Sequence, residues 1–536
     1  MSKLLSELQS ELQSESQSDY HSIEKPLRRA FRLPILRLAV LLAVTLGSAS
    51  LSPALVQAQN LPTLGDTSRE DLSPLAERKL GEQIMSVVRR DPDFMDDAPV
   101  SEYLNRLGNK MLENRQDARG ETNFNFEFFA VRDPVLNAFA FPGGFIGFHS
   151  GLILAAQSES ELASVMGHEI GHVAQRHIAR MLTSQRNDAL IPLAALALAV
   201  LAARSSPDAA MALVTGGQGL AIQKQLNFGR DAEREADRVG FQILRESGFD
   251  PSGMVSFFGR LQNATRNYND NLPPYLRSHP LTSERIADIQ SRLVDQRYRQ
   301  HADSLEFLLT KARVRVLQDS TIQGLMDAST FFDTQVKSGK LEDQITAKYG
   351  QAFVAYKRLD FTSARKLLEQ SRKLLEQTPA YKSLLSYSNM YVDLSIAILI
   401  GDKQTDAAVK EADKAMRDLP LSRGVALQYA EALLADSKEE KAAVFLRDQI
   451  VLYRQEAQLY NLLAKVYAAQ GKQAAQHVAL AEAYGIEGNL AAALQQLDIA
   501  RREKDAQYFE LSVIDARERE WKEKHKEQLA EEKKRR

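Results

Sequence analysis

Hydrophobic and polar positions follow three different patterns along this chain, and each pattern predicts a different kind of structure. Near the N-terminus a polar stretch rich in Ser, Gln and Glu gives way to a short apolar run at residues 38–46. From residue 59 to 299 helical periodicity is interrupted by strand-like alternation, which predicts a mixed domain. From residue 300 onward the pattern is helical. The predicted fold class is therefore mainly α, with a small β-sheet or hairpin in the first domain.

Strand-like alternation is concentrated just before a long apolar helix. Residues 124–131 alternate Phe with polar residues and predict a strand, and residues 137–149 predict a β-hairpin closed by a Pro-Gly-Gly turn. An edge strand of this hairpin can accept an extended peptide by strand addition, which makes Asn137, Ala138 and Phe139 candidate substrate contacts. An ordinary hairpin that only covers the core is the alternative interpretation.

The most specific chemical signal is a His-Glu-Ile-Gly-His sequence in this apolar helix. Residues four apart share a helix face, so His168 and His172 can bind the same zinc ion. Glu169 is one position further round, where it can act as a general base toward water. On a later helical stretch Glu233 can complete a set of two histidines and one glutamate, with Asp237 at i+4 on the same face. The joint pattern predicts a zinc metallopeptidase with one ion per chain.

Three neighbouring features are assigned weaker roles. His177 lies five positions beyond His172, and in a continuous helix it would turn away from the metal face, which predicts a surface histidine. Arg230 is a weak candidate for stabilising the oxyanion or contacting substrate, since pairing with a carboxylate is the simpler interpretation. The apolar segment 189–203 is short for a membrane span and predicts a buried helix or a lid over the cleft.

Beyond residue 300 the chain is predicted to form helix pairs. Small residues recur where such pairs would pack, at Ala364, Ala407-Ala408, Ala442-Ala443 and Ala491-Ala492-Ala493. Their loose spacing is near the period of tetratricopeptide repeats, about 34 residues, which stack into a superhelix with a concave binding face. A plain helical bundle is the alternative.

These patterns divide the chain into four predicted regions. A signal peptide with a long n-region occupies residues 1–58, a zinc metalloprotease domain 59–299, a repeat domain 300–516 and a charged tail 517–536. The length of 536 residues exceeds one ordinary core and agrees with more than one domain.

Composition narrows the chemistry further. The chain has no cysteine, which excludes disulfides, thiolate ligands and a cysteine nucleophile and leaves histidines and carboxylates to hold a metal. The formal net charge is -2 and the sequence shows no basic stretch typical of a nucleic-acid-binding face, so nucleic acid is not expected as a partner.

The N-terminal segment predicts export. Basic residues precede the apolar run, and Val56-Gln57-Ala58 offers a cleavage site with small residues ahead of Gln59. This arrangement is typical of a bacterial secretory signal peptide, so cleavage after Ala58 and a periplasmic location are expected. An uncleaved anchor is the alternative, because residues 35–55 are just long enough to span a membrane. Peripheral association with a membrane surface is compatible with both interpretations.

Three motifs in order carry a resemblance to a known family. They are H-E-x-x-H at 168–172, E-x-E-A-D at 233–237 and S-H-P-L at 278–281. The series resembles the HtpX-like, CAAX-endopeptidase-like zinc metalloproteases, here with C-terminal tetratricopeptide repeats. The resemblance covers about residues 75–521 and is most specific over 137–281. The spanning helices of the integral-membrane relatives are not evident, so their prenylated substrates are not carried over.

The resemblance implies a role for each motif residue. Zinc ligation is assigned to the set His168, His172 and Glu233. Glu169 is implied to be the general base, and Asp237 an acceptor that orients a ligand imidazole. His279 is drawn in as a residue that can approach the zinc, which makes it a candidate fourth, regulatory ligand.

The resemblance also implies a biological setting. It indicates an exported endopeptidase of envelope protein quality control that acts on misfolded or stalled outer-membrane β-barrel proteins and also serves as a chaperone. The repeats would then bind unfolded outer-membrane proteins or the β-barrel assembly machinery. The alternative is a non-proteolytic repeat chaperone or scaffold with a structural zinc site, against which the intact Glu169 argues, because a structural site needs no general base.

Overall fold

The computed structural model describes most of the chain. The described residues are 72–113, 124–184, 229–265, 274–294 and 301–535, and the element numbers below count only these. The predicted signal peptide with its cleavage site and the apolar segment 189–203 lie outside the described residues. In the described part of the chain, no helix combines the length and apolarity that crossing a membrane requires.

The described residues up to 294 form helices packed around a small sheet. The strands are β1 (Glu127–Val131), β2 (Ala138–Phe141) and β3 (Phe145–His149). The helices are α1 (Pro74–Val88), α2 (Ala98–Leu112), α3 (Ser150–Ala155), α4 (Glu159–Ala174), α5 (His177–Ser184), α6 (Arg230–Glu246), α7 (Ser252–Thr265), α8 (Pro274–Ser278) and α9 (Ser283–Val294). The mainly α fold with a small sheet is confirmed.

The sheet has the order β1-β3-β2. Strands β2 and β3 form the predicted antiparallel hairpin, with Phe139 opposite Gly147. Strand β1 pairs with β3 in parallel, a partnership that the sequence pattern did not reveal. Gly147 is required where it stands, because a Cβ there would lie 2.5 Å from the Phe139 ring. Because β3 lies between β1 and β2, strand β2 is at one edge of the sheet, and three of its four residues are partly buried.

Helix α4, which carries the H-E-x-x-H motif, runs through the middle of the core. The side chain of Ser158 accepts a hydrogen bond from the backbone N–H of Glu161 at 3.2 Å and caps the start of the helix. From Glu159 to Val173 this helix is buried. A helix that is covered on every side has its polar groups fixed by neighbours rather than by solvent.

Helices α4 and α6 lie unusually close together. A Cβ on Gly171 would meet the carbonyl oxygen of Ala236 at 2.8 Å, and one on Gly240 would meet the backbone of Gly167 at 2.8 Å. Backbone therefore packs against backbone along this contact, with no side chain between. The approach brings the inner face of α6 against the histidine face of α4.

The remaining described residues form consecutive helices. They are α10 (Leu305–Gln318), α11 (Ile322–Val336), α12 (Leu341–Lys357), α13 (Phe361–Glu376), a 3-10 turn (Lys382–Ser386), α14 (Met390–Gly401), α15 (Thr405–Asp418), α16 (Arg423–Ala435), α17 (Glu439–Leu452), α18 (Ala457–Ala469), α19 (Gln473–Ile486), α20 (Leu490–Arg502) and α21 (Tyr508–Arg535). Neighbouring helices pack in pairs, and alanines predicted at the contacts, such as Ala364, Ala408 and Ala493, are buried.

The tight turns inside three successive pairs repeat at a regular interval. Each turn contains one residue with positive φ, namely Lys403, Ser437 and Gly471. Their positions are 34 residues apart (437 − 403 and 471 − 437), which equals the tetratricopeptide period of about 34 residues. Helix α21 closes the series and buries Trp521 against α19 and α20.

The core of the first part continues into the repeat region. Leu305, Phe307 and Leu309 of α10 belong to the same buried cluster as Leu162 of α4. The carboxylate of Glu159, the first residue of α4, accepts hydrogen bonds from the backbone N–H of Ser304 at 3.1 Å and from its hydroxyl at 2.8 Å. The helix that carries the histidines is therefore anchored on the first turn of α10.

Buried charges join α2 to the repeats. The Arg313 guanidinium lies 2.8 Å from Asp97 and 2.6 Å from Asp393, and it donates to the hydroxyl of Tyr349 at 3.0 Å. Arg313 is only 5% exposed, so both carboxylates depend on it for compensation. Removal of one partner from a buried ion group leaves an uncompensated charge, which is strongly destabilising.

Arg313→Ala should therefore lower the free energy of unfolding by about 3–5 kcal/mol. The measurement is the midpoint of thermal unfolding, compared with the wild-type chain. Arg417→Ala is the matched control, because Arg417 pairs with Asp413 on an exposed helix face, where such a pair contributes at most about 0.5 kcal/mol. Equal shifts for the two variants would show that the Arg313 cluster does not hold the two parts together.

Candidate active site

Four buried side chains meet between α4, α6 and the loop after α8. His168, His172, Glu233 and His279 each offer one ligand atom, and all four atoms lie within 4.8 Å of one another. They are at most 3% exposed. The structure thus brings together the predicted ligand set and the histidine of the S-H-P-L motif.

The distances between the ligand atoms are uniform. His168 Nε2 lies 3.0 Å from His172 Nε2 and 3.6 Å from Glu233 Oε2. His172 Nε2 lies 3.4 Å from Glu233 Oε1. His279 Nδ1 lies 3.3 Å from His168 Nε2 and 3.0 Å from Glu233 Oε1.

These spacings fit a zinc ion. Ligand atoms around a tetrahedral zinc lie roughly 3.3 Å apart, because each is about 2.0–2.1 Å from the ion. The five separations given above, 3.0 to 3.6 Å, bracket that value. Two or three imidazoles with one carboxylate are also the donor types that zinc prefers. The residues could therefore hold zinc.

Electrostatics favour the metal-binding protonation states of His172 and Glu233, whereas the carboxylates of Glu233 and Glu169 outweigh burial and raise the pKa of His279. Burial holds the pKa of His172 well below its usual range, so its ring is neutral at physiological pH. Burial would raise the pKa of Glu233, but the neighbouring His279 and His172 outweigh it and hold that pKa well below its usual range. A neutral imidazole and an ionised carboxylate are the forms that ligate a divalent cation.

Glu169, the predicted general base, lies beside the cluster. Its Oε1 lies 3.6 Å from His279 Nε2, and among the described residues that oxygen has no hydrogen-bond partner. Burial raises the pKa of the Glu169 carboxyl, which moves it toward the range suited to proton transfer near neutral pH.

Asp237 orients His168 from the side away from the cluster. Its Oδ1 lies 2.9 Å from His168 Nδ1, so the ring donates Nδ1–H to the carboxylate and leaves Nε2 bare. The guanidinium of Arg285 donates two hydrogen bonds, of 2.7 and 2.8 Å, to the same carboxylate. It also lies 2.6 Å from Glu233 Oε2. Burial would raise the pKa of Asp237, but Arg285 and His168 outweigh it and lower that pKa.

The prediction that His177 is a surface residue is wrong. His177 is only 4% exposed, and its Nδ1 lies 2.9 Å from Nδ1 of His172. Burial lowers the pKa of His177 to about 4. The prediction failed because it assumed one continuous helix, whereas α4 ends at Ala174 and Arg176 adopts a left-handed conformation with φ 51°.

The weaker substrate candidates lie on two separate elements. Asn137 is buried next to His149, its Nδ2 3.3 Å from the ring Nε2. Ala138 and Phe139 begin the edge strand β2, with Ala138 fully buried and Phe139 half-buried. Arg230 is exposed at the first turn of α6, one turn before the buried Glu233.

Sequence reasoning missed three residues around the cluster, of which Arg285 and Tyr275 contact its members and Glu235 contacts His177. Arg285 is recognisable only in three dimensions, because a lone arginine in an amphipathic helix is normally solvated. Glu235 is hidden between the two acidic motif residues. Tyr275 is fully buried with its ring centroid 4.9 Å from that of His279; in the described part of the chain its hydroxyl has no hydrogen-bond partner.

Comparison with known proteins settles the family. The sequence model of peptidase family M48 matches residues 100–293, which contain the whole cluster. The beta-barrel assembly-enhancing protease of Escherichia coli is 31% identical over 476 residues, covering 89% of this chain and 93% of that protein. The chain belongs to peptidase family M48. This M48 peptidase is a zinc metalloendopeptidase, since the family is zinc-dependent and the buried His/Glu cluster can hold the metal.

Other relatives share part of the M48 peptidase. The putative beta-barrel assembly-enhancing protease of Vibrio cholerae is 36% identical over 323 residues, 59% of this chain and 65% of that protein. The metalloprotease LoiP of Escherichia coli is 28% identical over 196 residues, 36% of this chain and 71% of that protein. The match to the beta-barrel assembly-enhancing protease of Escherichia coli, at 89% of this chain, includes much of the repeat region.

Glu169→Gln in the M48 peptidase should lower the rate of peptide hydrolysis about 10²–10⁴-fold, while the zinc content stays near one ion per chain. The change removes the base but no atom of the ligand set. His168→Ala and Glu233→Ala should lose both zinc and activity. Zinc content by metal analysis and cleavage of an unstructured peptide are the two measurements. A wild-type protein that binds no zinc would contradict the whole assignment.

Proposed function

We propose that this protein is an exported zinc-dependent endopeptidase of protein quality control in the bacterial envelope. One zinc ion per chain would be held by His168, His172 and Glu233. The observation that carries the proposal is the buried cluster, in which these three side chains converge at zinc-like spacing beside Glu169. Zinc occupancy of the wild-type chain, as measured above, tests it directly.

The residues around the cluster account for peptide hydrolysis. When bound, zinc would act as a Lewis acid that polarises the scissile carbonyl and acidifies an attacking water. Glu169 takes a proton from that water as its oxygen bonds to the carbonyl carbon. The same carboxyl then delivers the proton to the amine nitrogen as the C–N bond breaks. Asp237 and Arg285 hold His168 and Glu233 in place throughout.

The edge strand offers a way to present the substrate. Among the described strands, β2 has β3 on one side only, and it is followed along the chain by β3, α3 and then α4. An extended segment of an unfolded protein could pair with the edge of β2 as an added strand. Successive side chains of that segment would then point alternately to the face that carries Phe139 and to the opposite face. This placement supports Asn137, Ala138 and Phe139 as substrate contacts, whereas the exposed position of Arg230 gives it no comparable support.

His279 is proposed as a latch on the site. Its Nδ1 lies as close to the ligand atoms of His168 and Glu233 as those atoms lie to each other. As a fourth ligand it would occupy the place that the attacking water needs, since a catalytic zinc keeps one position open. Movement of the segment that carries His279 would then switch the enzyme from latent to active.

The repeat region is proposed to recruit clients and partners. Several relatives bear the name beta-barrel assembly-enhancing protease, which supports outer-membrane β-barrel proteins as substrates and their assembly machinery as the partner. A cleft of about 470 Å³ lies between the start of α2 and the inner faces of the repeats, where Glu431, Asn461 and Lys465 offer polar contacts. A chaperone activity would use the same surface without cleavage.

The proposed location is the periplasm. The support is the sequence pattern of residues 1–58, which predicts export and cleavage after Ala58. The enzyme would reach unfolded outer-membrane proteins there, before they insert. Peripheral contact with a membrane is compatible with this placement.

His279→Ala should raise basal cleavage, including self-cleavage, without loss of zinc, because the latch is removed and three ligands remain. Zinc analysis and the rate of cleavage of an unstructured peptide are the measurements. His477→Ala, in the repeats and remote from the ligand set in the chain, is the matched control. A His279→Ala protein that is less active than wild type would instead make His279 a contact for substrate or oxyanion.

Glu169→Gln should act as a substrate trap in periplasmic extracts. Mass spectrometry of captured proteins should show outer-membrane β-barrel proteins enriched relative to capture by His168→Ala, which lacks the assembled site. Lys465→Glu in the trap background should reduce co-capture of the assembly machinery, whereas Lys410→Glu, on an exposed helix face, should not. Absence of β-barrel proteins from the trapped set would reject the proposed substrate class.

A further inference from the structure

We infer that His177, held by Glu235, fixes the orientation and the proton position of the His172 ring. The inference rests on the proposed function, because it matters only if His172 binds zinc through Nε2. It assigns His177 a positioning role, through His172, and no contact with substrate.

Three contacts form a chain that leads outward from the cluster. His172 Nδ1 lies 2.9 Å from His177 Nδ1, and His177 Nε2 lies 3.1 Å from Glu235 Oε2. The guanidinium of Arg180 donates to the same oxygen of Glu235 at 2.9 Å. Both histidines are buried, whereas the carboxylate of Glu235 reaches solvent.

The chain permits one arrangement of protons. A carboxylate only accepts, so His177 must donate its Nε2–H to Glu235. The neutral ring of His177 then has a bare Nδ1, which must accept the Nδ1–H of His172. The bare nitrogen of His172 is consequently Nε2, which faces His168 and Glu233 and is the atom that would ligate zinc.

The backbone conformation that makes this contact possible is itself held in place. In a continuous helix, residues five apart are turned roughly 140° from each other, so His177 could not reach His172. The left-handed Arg176 folds the chain back instead. Its side chain pairs with the buried carboxylate of Glu77 at 3.1 Å and donates to the carbonyl of Leu72 at 2.6 Å. Contacts with helix α1 and with the residues just before it thus hold the turn that places His177 against His172.

The two candidate ligand histidines therefore have separate supports. His168 is oriented directly by Asp237, whereas His172 is oriented by a neutral imidazole backed by Glu235. Loss of such an outer partner typically weakens metal binding about 10–100-fold. The contacts that orient His172 do not involve Arg285. A substitution at His177 can therefore remove them without changing Glu233.

The test is the zinc dissociation constant of the full chain, measured by competition with a chelator. His177→Phe keeps the ring but leaves the His172 Nδ1–H without its acceptor, and zinc binding should weaken about 10–100-fold. His177→Asn places an amide oxygen near the former Nδ1 and should recover most of the affinity. The thermal midpoint of the zinc-free protein should differ little between these two variants.

His477→Phe controls for loss of a hydrogen-bonded histidine elsewhere, since His477 pairs with Gln496 in the repeats, and its zinc affinity should equal that of the wild type. A His177→Phe protein that binds zinc within about twofold of wild type, or a His177→Asn protein no better than His177→Phe, would overturn the inference while leaving the proposed function intact. A wild-type chain that binds no zinc would overturn both.

Discussion

The backbone contact between α4 and α6 is the constraint on which the site depends. Gly167 and Gly171 on one helix face Ala236 and Gly240 on the other, and larger side chains at the glycines would push the helices apart. Separation by even one methyl group would take the carboxylates of α6 away from the histidines of α4. The convergence of the candidate ligands is thus a product of close packing as much as of their own contacts.

Several charged side chains are buried in this protein, and each is compensated by a neighbouring side chain of opposite charge. Around the cluster, Arg285 neutralises two carboxylates at once, and at the junction with the repeats Arg313 does the same. Burial of an ion is costly unless it is paired and hydrogen-bonded. Each buried charge therefore requires its partners at hydrogen-bonding distance. Arg285 therefore helps to shape the site, and Arg313 holds α2 against the repeats.

The sequence predicted the elements and the candidate site where local pattern decides them. The hairpin and the four-residue spacing of the histidines are local features, and the structure has both of them. The break after α4 was not predictable, because it depends on an ion pair between Arg176 and Glu77, 99 positions apart. Arg285 and the parallel pairing of β1 likewise arise from contacts distant in sequence, for which periodicity carries no signal.

The hydrogen bonds between Glu159 and Ser304 have a consequence for how the two parts influence each other. They join the N-terminus of α4, the helix that carries both histidines, directly to the N-terminus of α10. Thermodynamic linkage is reciprocal. If a partner on the repeats and a ligand at the His168, His172 and Glu233 cluster both favour the same position of α10, each raises the affinity for the other by the same factor.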